Sequence, residues 1–287
     1  MSKKSKNSNQ GIEIPSFIIK VAQGLQAISS KAVVKFAAKL FTTPIKYKTP
    51  KREQHMVDNS RQEYMLISTT NKHINLYHYG KLSDKKILLV HGWSGRGTQL
   101  YKIADALIEK GYSIISFDAP AHGKSEGKTS MMLKFIEAII EIDKKYGPFE
   151  YAVGHSLGGM SILNAIKRGF KVKKAVTIGS GDKIKDIVND FINQLRLRKE
   201  IAPKLIAHFE NKLGEKMEDY ASHVAVEDIE TPLLIIHDKD DVEVPVFTAH
   251  NIHKYAKNSQ LFLTEGLGHR KILGSDDVVT EIVRFFN

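Results

Sequence analysis

The chain contains no cysteine among its 287 residues. That one absence removes disulfides, thiolate zinc sites, iron–sulfur clusters and cysteine nucleophiles together, and it fits a reducing compartment. Long apolar runs are missing as well. No uncharged apolar run reaches the ~18 residues a spanning helix needs. The polar start MSKKSKNSNQ is followed only by short apolar runs, broken by Lys20, Gln23, Gly24 and Gln26, which is a poor fit to a signal peptide. A cytoplasmic protein is therefore expected. There is no H-x-H or H-E-x-x-H pattern, so no metal site is expected. Gly95-Arg96-Gly97 falls short of both a phosphate loop and a dinucleotide fingerprint, so no cofactor is expected either.

Acidic residues are scarce in one place only. Residues 1–52 hold ten lysines and one arginine against a single acid, Glu13, for a net charge of +10. The rest of the chain carries 32 basic and 31 acidic residues and is close to neutral. The basic signal thus belongs to an N-terminal segment, and the body shows no sign of a nucleic-acid binder. Residues 1–11 read as a disordered tail. Phe17, Val21, Leu25 and Ile28 then recur at helical spacing, and Ser29 and Ser30 break the pattern. In the next stretch Val33, Phe36, Ala37, Leu40 and Phe41 share one face, while Lys31, Lys35 and Lys39 lie four apart opposite them. Pro44 and Pro50 end helix formation. The apolar stripe of this second helix has two outlets. It packs on the body, the usual fate of such stripes, or it enters an anionic headgroup boundary, giving weak peripheral membrane contact through residues 12–52.

From there the chain alternates. Strands are predicted at Tyr64–Ser68, Ile74–Tyr79, Ile87–His91, Ser113–Asp118, Tyr151–His155, Ala175–Gly179, Leu233–His237 and Leu261–Thr264, with helices at Gln99–Lys110, Met131–Lys145, Met160–Arg168, Val246–Tyr255 and Asp277–Phe286. Continuous runs such as Ile87-Leu88-Leu89-Val90 suit strands covered on both faces. The class is α/β: a mostly parallel, doubly wound sheet, with its first two strands as an antiparallel edge hairpin. Asp182–Glu230 is too long for a crossover and reads as a helical insertion. Three units follow: 1–52, a core of 53–181 with 231–287, and the insertion 182–230.

Gly154-His155-Ser156-Leu157-Gly158-Gly159 sits between a strand and a helix. A serine there occupies a sharp turn with its hydroxyl exposed, and the glycines let the turn approach neighbouring backbone. The helix behind it aims its N-terminus at developing negative charge. His91-Gly92-Trp93 ends a neighbouring strand, where a backbone N–H joins that of Leu157 as an oxyanion donor. Asp238-Lys239-Asp240-Asp241-Val242-Glu243-Val244-Pro245 follows another strand, and Gly266-Leu267-Gly268-His269 the last. Nucleophile, acid and histidine therefore come in the order Ser…Asp…His, each just after a strand. Arg96 is either solvated or a docking point for an anionic substrate group, the former being commoner.

Taken as an ordered set, His91–Trp93, Asp118–Ser125, Gly154–Gly159, Asp241–Pro245 and Gly266–His269 resemble the α/β-hydrolase family, over roughly Lys85 to the C-terminus. The resemblance implies Ser156 as nucleophile, His269 as base, Asp241 as its orienter, and the Trp93 and Leu157 N–H groups as oxyanion hole. It also implies that Asp118–Ser125 is structural, that His122 is not catalytic, and that Asp182–Glu230 is the family's variable cap. Asp240 is the runner-up acid, but the family's D-x-x-V-P phrase fits Asp241. A serine nucleophile disfavours the branches that use aspartate, the haloalkane dehalogenases and epoxide hydrolases. The expected function is hydrolysis of a carboxylic ester or thioester through an acyl-enzyme. The alternatives are carbon–carbon bond hydrolysis by the same triad, or a non-catalytic ligand-binding protein of this fold.

Overall fold

The computed structural model describes residues 14–287; the tail read at 1–11 lies outside them. All eight expected strands are present: β1 (Ser60–Ile67), β2 (Lys72–Tyr79), β3 (Lys86–Val90), β4 (Ser113–Phe117), β5 (Tyr151–His155), β6 (Lys174–Ile178), β7 (Leu233–Asp238) and β8 (Ser259–Thr264). They form one sheet in the order β1-β2-β4-β3-β5-β6-β7-β8. β2 runs antiparallel to both β1 and β4, and every other pairing is parallel. The helices flanking or crossing it are α1 (Ser16–Ile28), α2 (Ser30–Phe41), α3 (Tyr101–Glu109), α4 (Met132–Tyr146), α5 (Leu157–Lys167), α6 (Ile184–Gln194), α7 (Ile201–Leu213), α8 (Phe247–Tyr255) and α9 (Asp276–Phe286).

The continuous apolar runs have a direct cause. Side chains alternate across a strand, and both faces here are roofed. Leu88, Val90, Ala152, Ala175, Leu233 and Ile235 point into the core shared with α4 and α5. Ile87, Leu89, Val153, Val176, Leu234 and Ile236 point the other way, into the core under α3 and α9. The edge strand β1 differs: Met65 and Ile67 are buried, whereas Tyr64 and Leu66 are exposed. It also starts four residues earlier than its apolar pattern indicates. Ser60 to Glu63 are polar yet pair in register with Tyr79 to Leu76, because the β2 backbone supplies partners whatever the side chains are.

The segment between β6 and β7 is helical, as its length and pattern indicate. Asp182 ties its two ends together. Its side chain is 2% exposed and accepts hydrogen bonds from the His223 backbone N–H at 2.8 Å and from Asn251 at 2.5 Å.

The N-terminal helices pack on the core and on the insertion. Ser29 caps α2 by accepting the Ala32 N–H. Val33, Val34, Ala37 and Ala38 are buried in the main core, and Phe36, Leu40 and Phe41 pack against it. The Phe41 ring meets Phe191 of α6 edge-on at 5.1 Å and Phe209 of α7 at 5.8 Å. Gln26 accepts the Arg198 N–H at 2.7 Å, joining α1 to the same insertion. The apolar face of α2 is therefore interior, and of its two expected outlets the body wins.

Candidate active site

The turn from β5 into α5 carries Ser156 at φ 52° and ψ −118°. A non-glycine residue in that region stores about 1–3 kcal/mol of strain and persists only where its surroundings impose it. Here the Ser156 N–H donates to the Ile178 carbonyl at 2.8 Å, and two glycines admit the close packing. A Cβ on Gly154 would fall 2.6 Å from the Gly158 carbonyl, and one on Gly158 would fall 2.3 Å from the Val90 oxygen. Helix α5 starts at Leu157, three residues earlier than its apolar periodicity shows. Gly158 and Gly159 give no periodic signal, yet both are buried.

Asp241 and His269 are brought together from the ends of β7 and β8. The His269 Nδ1–H donates to Asp241 Oδ2 at 2.7 Å, with the carboxylate 1% and the imidazole 7% exposed. The other carboxylate oxygen, Oδ1, accepts the backbone N–H groups of Glu243 at 2.9 Å and Val244 at 2.8 Å. Asp241 is thus locked in one orientation. Its neighbour Asp240 points elsewhere and accepts the Gly266 N–H at 2.8 Å on the exposed side. No hydrogen bond joins the Ser156 hydroxyl to His269 among the described residues. Such contacts are often loose without substrate and tighten in the complex.

Sequence reasoning missed the residues that hold this pair. Asp238 is fully buried at the end of β7. Its carboxylate accepts the Thr264 hydroxyl at 2.7 Å and the N–H groups of Gly268 at 2.9 Å, Asp240 at 3.0 Å and Leu267 at 3.1 Å. It stitches the β7 turn to the loop that presents His269. Burial raises its carboxyl pKa, but these donors outweigh burial and hold it below the usual carboxylate range. His155, inside the elbow, donates Nε2–H to the His269 carbonyl at 2.9 Å, with the rings 4.7 Å apart. His237 donates Nε2–H to the Val244 carbonyl at 2.8 Å. Burial pushes the pKa of His155 far below its ordinary value and lowers that of His237, so both serve as neutral donors. A strand-end position was the only sequence signal for these residues, and it does not separate a donor strut from an ordinary buried side chain.

On the opposite side of the elbow, the His91 ring braces the backbone. Its Nδ1–H donates to the Gly92 carbonyl at 2.7 Å and its Nε2 accepts the Ala119 N–H at 3.0 Å. The Gly92 carbonyl and the Trp93 N–H belong to one planar peptide, so pinning the first orients the second. Neither the Trp93 nor the Leu157 N–H is spent on a turn or loop hydrogen bond among the described residues, and Leu157 is the first of the helix's orphan donors. Arg96 is not available to a substrate: its Nη1 lies 2.8 Å from both carboxylate oxygens of buried Glu53. Asp118 accepts from Gly97, Lys124 and Tyr77 and braces its turn. His122 packs edge-on against Trp93 at 5.1 Å, and burial lowers its pKa to about 4.

Above Ser156 lies a cavity of about 760 Å³. Trp93, Leu157 and Met160 line it from the core, Ile184, Ile187 and Phe191 from α6, and Ile18, Leu40 and Phe41 from the N-terminal helices. Among the described residues no group of His, Cys, Asp and Glu is arranged to hold a metal ion.

The model of the α/β hydrolase fold matches residues 85–217. The lysophosphatidylserine lipase ABHD12 of Danio rerio is 28% identical over 191 residues, covering 62% of this chain and 49% of that protein. The chain therefore spans about half the length of that curated relative. Among solved structures, the Pyrococcus furiosus esterase PF2001 superposes with a TM-score of 0.64 at 16% identity, over 85% of this chain and 96% of that one. The esterase EaEST of Exiguobacterium antarcticum does so with 0.61 at 18% identity, over 79% and 99%. These likenesses concern the fold. Sequence match and fold likeness agree on one point: the chain has the α/β-hydrolase fold.

Proposed function

We propose that the protein is a serine hydrolase that cleaves a carboxylic ester or thioester carrying an apolar acyl chain. One observation carries this reading: a strained, glycine-flanked Ser156 at the base of an apolar cavity, on the sheet edge where Asp241 and His269 form a buried 2.7 Å pair. The Ser156 hydroxyl attacks the acyl carbon as His269 Nε2 takes its proton. The Asp241 carboxylate holds the imidazole with its other proton on Nδ1 and stabilises the imidazolium. The Trp93 and Leu157 N–H groups receive the oxyanion, a donor of this kind being worth about 10²–10³ in kcat. His269 then returns the proton to the departing alkoxide or thiolate. Water, deprotonated by the same histidine, releases the acid and restores Ser156.

A lipid ester fits the cavity lining, and the relative named as a lysophosphatidylserine lipase supports that substrate class. The helices of 182–230 act as a cap, to which α1 and α2 of the 1–52 unit add a wall. A cytoplasmic location with peripheral membrane contact through residues 12–52 is part of the same proposal. No helix among the described residues is long and apolar enough to cross a membrane. Labelling with a fluorophosphonate probe tests the chemistry. The expected adduct is on Ser156 and is lost in His269→Ala; labelling elsewhere, or none, defeats the reading.

A further inference from the structure

We propose that the outer face of α1 docks the protein on an anionic lipid membrane, beside the mouth of the cavity. The substrate route this implies rests on the lipid-ester reading above; the docking itself does not. Helix α1 is apolar on two sides. Its inner side is used: Ala22 is buried, Ile18 and Leu25 pack on the core, and Ile14, Pro15 and Ile18 line the cavity. At ~100° per residue, Phe17, Val21, Gly24 and Ile28 share a second arc about 60° wide. Phe17 is 65%, Val21 47% and Ile28 82% exposed. A Cβ on Gly24 would meet nothing within 4 Å, so among the described residues no element covers this stripe. Aligned large apolar side chains on the outside of a helix are an unfavourable surface in water and mark an interaction site.

The surrounding charge selects the occupant. Between residues 14 and 52 the chain holds seven lysines and one arginine and no carboxylate. Lys20, Lys31, Lys35 and Lys39 are all exposed. A second copy would bring the same net-positive segment against this one, which opposes self-association. An anionic leaflet attracts the same lysines and accepts the apolar arc into its headgroup boundary. Ile45 and Phe247 extend the match. Both line the cavity while remaining 46% and 56% exposed, so they add apolar side chains to a mouth that also carries Lys183 and Asp190. The membrane-facing residues are therefore not those of α2, whose apolar face is interior, but those on the far side of α1.

The test is co-sedimentation of the full chain with vesicles of phosphatidylcholine alone, or of phosphatidylcholine mixed with phosphatidylglycerol. Wild type is expected to bind the anionic vesicles, less so as salt rises. Phe17→Ser/Val21→Ser/Ile28→Ser should lower partitioning at least ~tenfold, with unchanged melting temperature and unchanged turnover of a water-soluble short-chain ester. Ser156→Ala should bind like wild type, so a failed hydrolase reading leaves the docking result standing. No binding by wild type, or equal binding by wild type and the triple variant, overturns the proposal. So does a dimer in analytical ultracentrifugation that the triple variant dissolves, because the stripe would then belong to a second copy.

Discussion

Asp241→Asn is expected to disable the site through tautomer choice rather than through loss of charge alone. In the wild-type structure Oδ1 of Asp241 accepts two backbone N–H groups while Oδ2 accepts from His269 Nδ1–H. An asparagine must keep its carbonyl oxygen on the two backbone donors, which leaves its NH₂ facing His269. An NH₂ can donate only to an unprotonated Nδ1, so the imidazole proton moves to Nε2, the atom that must accept the Ser156 proton. A wrong tautomer of this kind costs about 10⁴ in kcat, or about 5.5 kcal/mol of barrier. The fold should survive, because both backbone hydrogen bonds are kept. Asp240→Asn provides the control. It alters an exposed group holding one loop N–H, worth about 1 kcal/mol, and should change kcat less than ~tenfold. The assay is kcat and kcat/KM on a p-nitrophenyl ester, with thermal melts of both variants. An Asp241→Asn enzyme within tenfold of wild type, or a more damaged Asp240→Asn, would refute the tautomer argument.

Ser156→Ala and His269→Ala should each lower kcat by about 10⁴–10⁶, and the double variant by little more, since the two groups act as one unit; additive losses would contradict this. Stability should fall as pH drops from about 6.5 towards 4. Burial depresses the native pKa of His91, His122, His155 and His237, so only the unfolded chain takes up these protons, each adding a slope of about 1.4 kcal/mol per pH unit. Urea unfolding at pH 7, 6 and 5 measures this, and a flat profile would be incompatible with neutral buried imidazoles. Ile187→Trp, which fills the cavity, should lower the C12-to-C4 ester ratio. Leu205→Ala, in the buried core and outside the cavity lining, should instead cost about 2–5 kcal/mol of stability and leave the ratio unchanged.

Much of the molecule was legible in the residues because its signals are local. Runs such as Leu233 to Ile236 announce strands covered on both faces, and Gly154 and Gly158 announce an elbow wherever a strand meets a helix. Asp241 was preferred to Asp240 only through the resemblance to the family's D-x-x-V-P phrase; the geometry shows Asp241 paired with His269 and adds a physical reason, the Asx-type turn that consumes Oδ1. The struts of the site were not legible. Asp238, His155 and His237 matter through partners 7 to 114 residues away in the chain, and no local pattern distinguishes them from other buried polar groups. The destination of the N-terminal helices was equally hidden. Periodicity shows that α1 and α2 have apolar faces but not what those faces meet. Only the packed chain, with Phe41 between Phe191 and Phe209 and with Phe17 and Ile28 left in water, assigns one face to the cavity wall and the other to the outside. That assignment depends on which surfaces the sheet and cap present at a distance, and amphipathic spacing carries no information about distance.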